Sequence, residues 1–378
     1  MKREDLELFI DNLDMLIATG SPYVHKIAKS IASVKNTAFA SDSGELSMDS
    51  IKEASAAYMI EDSCNSDITL VVPPSLKTVT GFNFWRTEPG KGRHGKVKVV
   101  GGSENLTGLC SLFEELQAES IDCSELIVDS VTDAEFMFYG AKIEHLDLEW
   151  LRDAKLKYIR AMFMGCKTDV IDLNCLTLSA CKSYKELFRE CSAEIVGELH
   201  CDTVTDTSSM FCLYSGNKVL DLTWIDMSNV TDSSNMFCSL DVDKLSIDLS
   251  KADRIEEAGS MFYKCKIKEL TNKLVHIDGI VSGNRMFNET EIDGVKIVSK
   301  ATRIERIYEM FKDTKAKYID LSEFEVRTSG KLWSDNMFKC TSTKLMLCKQ
   351  QVGGFPSGGL MKFQILLGNN ENISIEVV

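Results

Sequence analysis

No apolar stretch in this chain approaches the roughly 18 residues that a membrane-crossing helix requires, so membrane insertion is not expected. The amino terminus, Met1-Lys2-Arg3-Glu4-Asp5-Leu6-Glu7-Leu8-Phe9-Ile10, places acids among its first residues. It lacks the apolar run of about 7–15 residues and the cleavage site of a secretory signal. The expected location is the cytoplasm, or a particle such as a virion that leaves the cell by another route. Positive charge is in deficit: 43 Lys and Arg against 57 Asp and Glu give a net charge of −14. Phosphate contact needs a positive surface, so the charge argues against a general nucleic-acid binder, and the acidic balance favours basic protein partners. Histidine is rare, with only His25, His94, His145, His200 and His276, all widely spaced, and Cys-x-x-Cys does not occur. That inventory leads to no expected metal and no expected cofactor. Gly-x-Ser-x-Gly and Walker sequences are missing as well, which removes the signatures of a nucleophile elbow and a phosphate loop.

What the chain does contain is a repeat. The dipeptide Met-Phe, or Leu-Phe, occurs at Leu112-Phe113, Met137-Phe138, Met162-Phe163, Leu187-Phe188, Met210-Phe211, Met236-Phe237, Met261-Phe262, Met286-Phe287, Met310-Phe311 and Met337-Phe338. The steps are 25, 25, 25, 23, 26, 25, 25, 24 and 27 residues. A period near 25 residues is the mark of a solenoid. One repeat cannot bury its own apolar face, but a stack of them can.

A second motif, apolar-Asp-apolar, lies between the Met-Phe pairs: Ile121-Asp122-Cys123, Leu146-Asp147-Leu148, Ile171-Asp172-Leu173, Leu220-Asp221-Leu222, Ile247-Asp248-Leu249 and Ile319-Asp320-Leu321. Its alternation has period 2, which predicts a short strand with the Asp facing away from the core. The Met-Phe segments follow Val131-Thr132-Asp133, Val204-Thr205-Asp206 or Val230-Thr231-Asp232. Thr or Asp there suits a helix N-cap, and Met162/Cys166, Leu187/Cys191 and Met261/Cys265 have i, i+4 spacing. The expectation is one helical turn and one strand per repeat, hence an α/β repeat with a parallel strand ladder. Five cysteines, Cys166, Cys191, Cys238, Cys265 and Cys340, sit just after Met-Phe and are expected to be buried thiols rather than disulfides.

The closest match to a known pattern runs Leu220-Asp221-Leu222-Thr223, then Met227-Ser228-Asn229-Val230-Thr231-Asp232-Ser233-Ser234-Asn235-Met236-Phe237. It resembles the repeat of the BspA-like leucine-rich repeat proteins, including the mycoplasma-type surface lipoproteins. The resemblance covers roughly residues 105–345. It implies a leucine-rich-repeat-type solenoid and a non-enzymatic surface or adhesion role. The chain departs from the family in lacking a lipoprotein signal and in degenerate copies such as Ile195-Val196-Gly197-Glu198-Leu199 and Val295-Lys296-Ile297.

Four segments are expected: a small helical N-terminal region over 1–65, a β-rich linker and cap over 66–104, the ten-repeat solenoid over 105–345, and a capping hairpin over 346–378 in which 363–367 pairs with 373–378. The candidate binding residues are the strand aspartates Asp122, Asp147, Asp172, Asp221, Asp248 and Asp320. If stacked in register, like charges would lie about 4.8 Å apart, a repulsion that water, a cation or a basic partner must offset. The readings open at this point are a solvated face, a surface for a Lys/Arg-rich protein, and a weak Ca²⁺ site. Trp150, Trp224 and Trp333 are either core wedges at the strand exit or anchors on a binding edge. The basic stretch Arg86, Lys91, Arg93, His94, Lys96 and Lys98 is read as a solvated hairpin tip before a nucleic-acid contact.

No enzyme is expected, because every repeat offers the same carboxylate geometry and none is singled out. The leading function is protein binding, either as an adhesin on a phage or prophage-derived particle or as a cytoplasmic interaction or inhibitor protein. The rival class is a polysaccharide-acting enzyme using the acidic face. Reversing Asp147 and Asp172 together is expected to leave stability unchanged or to raise it. Phe163→Ala should lower stability by about 3–5 kcal/mol, since a buried ring is lost and its neighbours cannot close the gap. Urea denaturation measures the loss, and limited proteolysis should begin near that repeat.

Overall fold

The computed structural model describes residues 68–72, 77–79, 94–300, 304–324, 334–339, 341–347 and 373–377. The expected helices of 1–65, the hairpin arm 363–367, Trp333 and Cys340 lie outside the described residues. The chain divides into two compact units, Met1–Thr177 and Leu178–Val378.

In the first unit the strands are β1 (Ile68–Val72), β2 (His94–Gly101), β3 (Gln117–Leu126), β4 (Lys142–His145), β5 (Lys155–Leu156) and β6 (Val170–Asp172), and β7 (Thr177–Leu178) starts on its last residue. β1 to β4 lie side by side in chain order, all parallel, with Val97 of β2 between Ile68 and Ile121. In the second unit the strands are β8 (Glu194–Val196), β9 (Val219–Asp221), β10 (Asp241–Ser246), β11 (Lys266–Leu270), β12 (Leu274–His276), β13 (Glu291–Val298), β14 (Lys315–Asp320), β15 (Ser342–Leu347) and β16 (Ile373–Val377). From β9 to β16 these again run parallel in chain order, with β12 beside β13. Partners sit one period apart, as in Leu220, Leu245 and Leu270. β16 continues the ladder by pairing in parallel with β15. Each unit is therefore a parallel-strand β-solenoid. The first holds three of the ten Met-Phe coils and the second holds seven.

The Met-Phe segment is not the helical turn expected from its spacing. Leu112, Glu114 and Leu116 donate their N–H groups three residues back, to Leu109, Ser111 and Phe113 (3.2, 3.1 and 3.2 Å). The N–H groups between them point to the next coil: Ser111, Phe113 and Glu115 donate to Glu135, Met137 and Tyr139 (2.9, 2.8 and 2.7 Å). The second unit repeats this, with Ser260, Phe262 and Lys264 donating to Asn284, Met286 and Asn288 (2.8, 2.8 and 2.9 Å). The segment is a chain of linked β-turns. Its inward residues, Leu109, Leu112, Phe113 and Leu116, fall at i, i+3, i+4 and i+7 and are fully buried. That spacing is also the apolar stripe of a helix, which is why the sequence suggests one.

Among the described residues there is no α-helix, and the helical pieces are three short 3₁₀ segments, Glu149–Leu151, Leu173–Cys175 and Met227–Asn229. The α/β expectation is corrected to strands and turns, and the leucine-rich-repeat label finds no helical side among these residues. No described helix is long and apolar enough to cross a membrane.

The rings of the Met-Phe motif form the core. Phe113, Phe138 and Phe163 stack at 5.4 and 5.5 Å with interplanar angles of 13° and 2°. In the second unit seven rings from Phe188 to Phe338 stack likewise, with Phe262 and Phe287 nearest at 5.0 Å. Stacked pairs of this kind add about 0.5–1.5 kcal/mol each beyond the area they bury. Three residues after the Phe comes a buried donor. Cys265 Sγ donates to the Phe237 carbonyl (2.7 Å), Thr314 to that of Phe287 (2.6 Å), and Thr290 and Thr341 to those of Phe262 and Phe311. Cys166, Cys191 and Cys265 are buried free thiols in this column. The Cys265 thiol acts as a hydrogen-bond donor interchangeable with threonine, and not only as a small apolar group. Cys238 belongs to another column, one residue after the Phe, and is half-buried.

Two further features follow from the turn chain. The five prolines, Pro22, Pro73, Pro74, Pro89 and Pro356, all fall outside residues 94–347. Within the coils the N–H groups are consumed either inside the coil or toward its neighbour, so a residue without an N–H has no place. The residue before the Met and the second residue after the Phe have positive φ, for example Ser111 (55°) and Glu115 (58°). These are third positions of their turns, where a type II turn needs the left-handed region. Non-glycine residues there cost about 1–2 kcal/mol each. Leu213 has φ 58° and an exposed side chain, whereas Gly165 has φ 67°. Leu213→Gly should therefore raise stability by about 1 kcal/mol and Gly165→Ala should lower it by a similar amount, as read from urea unfolding midpoints.

Candidate functional site

The six candidate aspartates do one job in common. Each carboxylate accepts the backbone N–H two residues on: Asp122 from Ser124 (3.1 Å), Asp147 from Glu149 (2.9 Å), Asp172 from Asn174 (2.9 Å), Asp221 from Thr223 (3.0 Å), Asp248 from Ser250 (3.0 Å) and Asp320 from Ser322 (2.9 Å). This is an Asx turn, and it is how the chain leaves the strand. Asp122 is inside β3, Asp172, Asp221 and Asp320 are the last residues of β6, β9 and β14, and Asp147 and Asp248 lie beyond β4 and β10. The expected mid-strand position is corrected accordingly.

The aspartates that can be placed in the ladder do not stack on one another. Asp221 is beside Ser246, Asp320 lies between Lys296 and Met346, and Asp122 is beside Lys98. The Asp122 carboxyl is held well below the usual range, first by the Ser124 hydroxyl and then by Lys96 at 3.0 Å. Trp150 and Trp224 share a corner geometry with these turns. Their Nε1 atoms donate to the carbonyls of Asp147 (3.1 Å) and Asp221 (3.2 Å). Half-buried, the rings stand edge-on to Phe113 and Tyr184 (6.4 and 6.2 Å). This is the wedge arrangement.

The sheet face of the second unit is charged in alternation. Asp241, Lys266, Glu291 and Lys315 follow one another across β10, β11, β13 and β14. Ion pairs cross the strands from Lys244 to Glu269 (3.0 Å), Lys268 to Asp243 (2.6 Å) and Lys315 to Glu291 (2.7 Å). Hydrogen bonds from Lys273 and Lys317 hold the Asp293 carboxyl down to about 2. Exposed pairs of this kind contribute little to stability, about 0–1 kcal/mol, but they cancel the acidic field expected of this face. An in-register row of acids does exist, in another column: Asp206, Asp232 and Glu257. Asp206 and Asp232 also close turns, on Ser208 and Ser234 (both 2.9 Å), and Arg306 reaches Glu257 at 3.2 Å. The sequence marked these two aspartates as helix caps; the bond to an N–H ahead is present, and the helix is not.

One place in the second unit breaks the regular face. Between β11 and β12 the chain bulges at Asn272 and Lys273, which take positive φ in succession (63° and 48°). Opposite stands Gly294, where a Cβ would meet Tyr318 Cε1 at 2.3 Å, so the tyrosine ring lies directly over the backbone. The Lys273 ammonium sits over that ring at 5.9 Å. Bulge and ring bound a groove of about 800 Å³, with Leu274, Val298, Tyr318 and Met346 as its apolar surface and Lys273, His276, Lys296, Asp320 and Glu323 as polar lining. Both nitrogens of His276 are engaged, Nδ1 with the Ser250 carbonyl (3.1 Å) and Nε2 with Asp278 (3.2 Å). Lys296 is paired with Glu323. Of the candidate residues only Asp320 lines the groove. Its sequence signal was the degenerate copy Val295-Lys296-Ile297, where the motif's Asp is replaced.

The turn geometry changes the outcome expected of charge reversal. Asp147→Lys with Asp172→Lys removes two turn closures and should lower stability by about 1 kcal/mol per site. Asp→Asn at both sites, which keeps the acceptor, should stay near the parent in thermal unfolding.

A protein-family profile described as Mycoplasma protein of unknown function, DUF285, matches residues 102–195, 158–277 and 205–347. The three overlapping matches together cover about two-thirds of the 378 residues. No curated protein and no solved structure matches the chain.

Proposed function

Because the chain belongs to this Mycoplasma family of unknown function, we propose that it is a non-enzymatic repeat solenoid that binds another protein, and that the groove over Tyr318 is where it binds. The observation that carries the reading is the break in the charged face. Elsewhere on the second unit's sheet, cross-strand Lys–Glu and Lys–Asp pairs satisfy one another. At the groove an aromatic ring and a methionine are presented beside a polar rim. Aromatic side chains are enriched among the few residues that carry most of the energy of protein interfaces, and methionine adapts to varied partner shapes. The family's repeats and the BspA-like resemblance favour an adhesion role, and the charge of −14 favours a basic partner. A polysaccharide-cleaving role has less support: His276 is held at both nitrogens, and the strand aspartates close turns.

The test is capture of a partner by the immobilised full chain, with cross-linking and mass spectrometry, followed by affinity measurement on the captured protein. Cross-links should map beside Tyr318 and Met346. Tyr318→Ala should weaken affinity at least tenfold, while Asp147→Asn leaves it unchanged. Unfolding midpoints of both variants identify any loss due to misfolding, and Met346→Ala serves as the second groove variant. Equal affinity of both groove variants and parent would overturn the groove assignment. Release of reducing sugar from a polysaccharide panel would overturn the non-enzymatic reading.

A further inference from the structure

Ten cysteines lie among the described residues, all free, and two of them face each other across adjacent coils. Cys212 and Cys238 each follow the Phe of their Met-Phe pair, 26 residues apart. The backbone fixes that register: Phe211 N–H donates to the Met236 carbonyl (2.8 Å) and Leu213 N–H to the Cys238 carbonyl (2.7 Å). Five residues earlier the matching pair in the same two coils, Thr207 and Ser233, lies hydroxyl to hydroxyl at 3.0 Å. Neighbouring coils are about 4.8 Å apart, within the Cα separation of about 4.4–6.8 Å that a disulfide tolerates. Each thiol bears on the ionisation of the other. Arg189 and Lys264 bear on the pair, and Ser239 bonds the Cys238 sulfur at 3.8 Å.

These surroundings divide the two sulfurs. The neighbouring Cys212 thiol, then the Ser239 hydroxyl and the charges of Lys264 and Arg189, draw Cys238 below the usual thiol range. Cys212, beside that sulfur and buried, is pushed up. Cys238 is also the more exposed of the two. Two other thiols go the opposite way: burial pushes the buried Cys191 up to about 12 and the half-buried Cys110 up to about 11. A low-pKa, accessible thiolate beside a second thiol is the arrangement of a peroxide-responsive cysteine with its resolving partner.

We propose that Cys212 and Cys238 form a reversible redox site, in which a hydroperoxide oxidises the pair to a disulfide that staples two adjacent coils. The Cys238 thiolate attacks the terminal oxygen of the hydroperoxide. A sulfur–oxygen bond forms, the oxygen–oxygen bond breaks, and the alcohol (or water, from hydrogen peroxide) departs after taking up a proton. Cys212 sulfur then attacks the Cys238 sulfenic sulfur, the sulfur–oxygen bond breaks, and water leaves with the Cys212 proton. Two thiols and one peroxide give one disulfide, one alcohol and one water. A dithiol reductant reverses the oxidation.

The experiment uses the full chain and hydrogen peroxide at equimolar to tenfold excess. Free thiols are blocked with iodoacetamide, and the digest is made with chymotrypsin, which cuts at Phe211 and Tyr214 and so separates Cys212 from Cys191 and Cys201. A Cys212–Cys238 linked peptide is expected, lost on treatment with dithiothreitol, and the oxidised protein should unfold at a higher temperature. Cys212→Ser should leave Cys238 as a sulfenic acid that dimedone traps, and Cys238→Ser should abolish the reaction at Cys212. Because either variant could perturb folding, the parent is also alkylated at graded pH. Cys238 should react at least tenfold faster than Cys110 at pH 7. Absence of the linked peptide in the parent, or equal alkylation rates at Cys238 and Cys110, would overturn the proposal.

Discussion

Alternate amide N–H groups in the Met-Phe segment leave their own coil and bond to the next, and the rest of each unit is organised around that choice. A helix would return every N–H to its own chain and leave the coil with nothing to hold its neighbour. Here Phe113 donates to Met137 and Phe262 to Met286, so each Phe ring is set at the stacking distance of the next. The intervening N–H groups close turns within the coil, which aims Met and Phe inward together. The penalty is two left-handed residues per coil, usually without glycine to relieve it. They persist because hydrogen bonds on both sides over-determine the backbone.

The same constraint accounts for the side chains at the corners. A strand of a few residues must end sharply if the chain is to return within one period, and the carboxylates of Asp147, Asp221 and their counterparts cap that exit by taking the next free N–H. Trp150 and Trp224 brace the corner from below by bonding the carbonyl of the same Asp. Donors such as Cys265 and Thr314 take up the Phe carbonyl of the preceding coil. A buried carbonyl has two lone pairs, and this column fills the second. The acidic stripe suggested by the motif is thus part of the scaffold, and lysines on neighbouring strands neutralise the sheet face.

Specialisation enters where the scaffold departs from its rule. The bulge at Asn272 and Lys273 replaces a straight run of ladder, and Tyr318 covers the Gly294 backbone in return. At Cys212 and Cys238 a column held elsewhere by Arg189, Tyr263 or Asn288 places two thiols in adjacent coils. The Phe column runs through both departures with Phe211, Phe237, Phe287 and Phe311 fully buried, although it widens to 6.3 Å between Phe211 and Phe237. A repeat array tolerates such local variation because each coil contacts mainly its neighbours.

The period, the coil count, a parallel strand ladder and the burial of Met, Phe and the repeat-locked Cys166, Cys191 and Cys265 were legible in the chain alone, because spacing and polarity belong to the chain; that three repeats carry two strands each was not. The sequence could not tell linked turns from a helix, since both bury positions i, i+3, i+4 and i+7; the difference lies in which carbonyl each N–H meets, and that carbonyl is about 25 residues away. Nor could it show that Asp147 closes a turn, that Asp221 stands beside Ser246 and not another Asp, or that Lys244 meets Glu269. The first is a local bond two residues on, and the other two are matters of register between coils. The groove over Tyr318 and the pairing of Cys212 with Cys238 have the same origin. Each joins residues one or more periods apart, and only the stacking of coils brings them within reach.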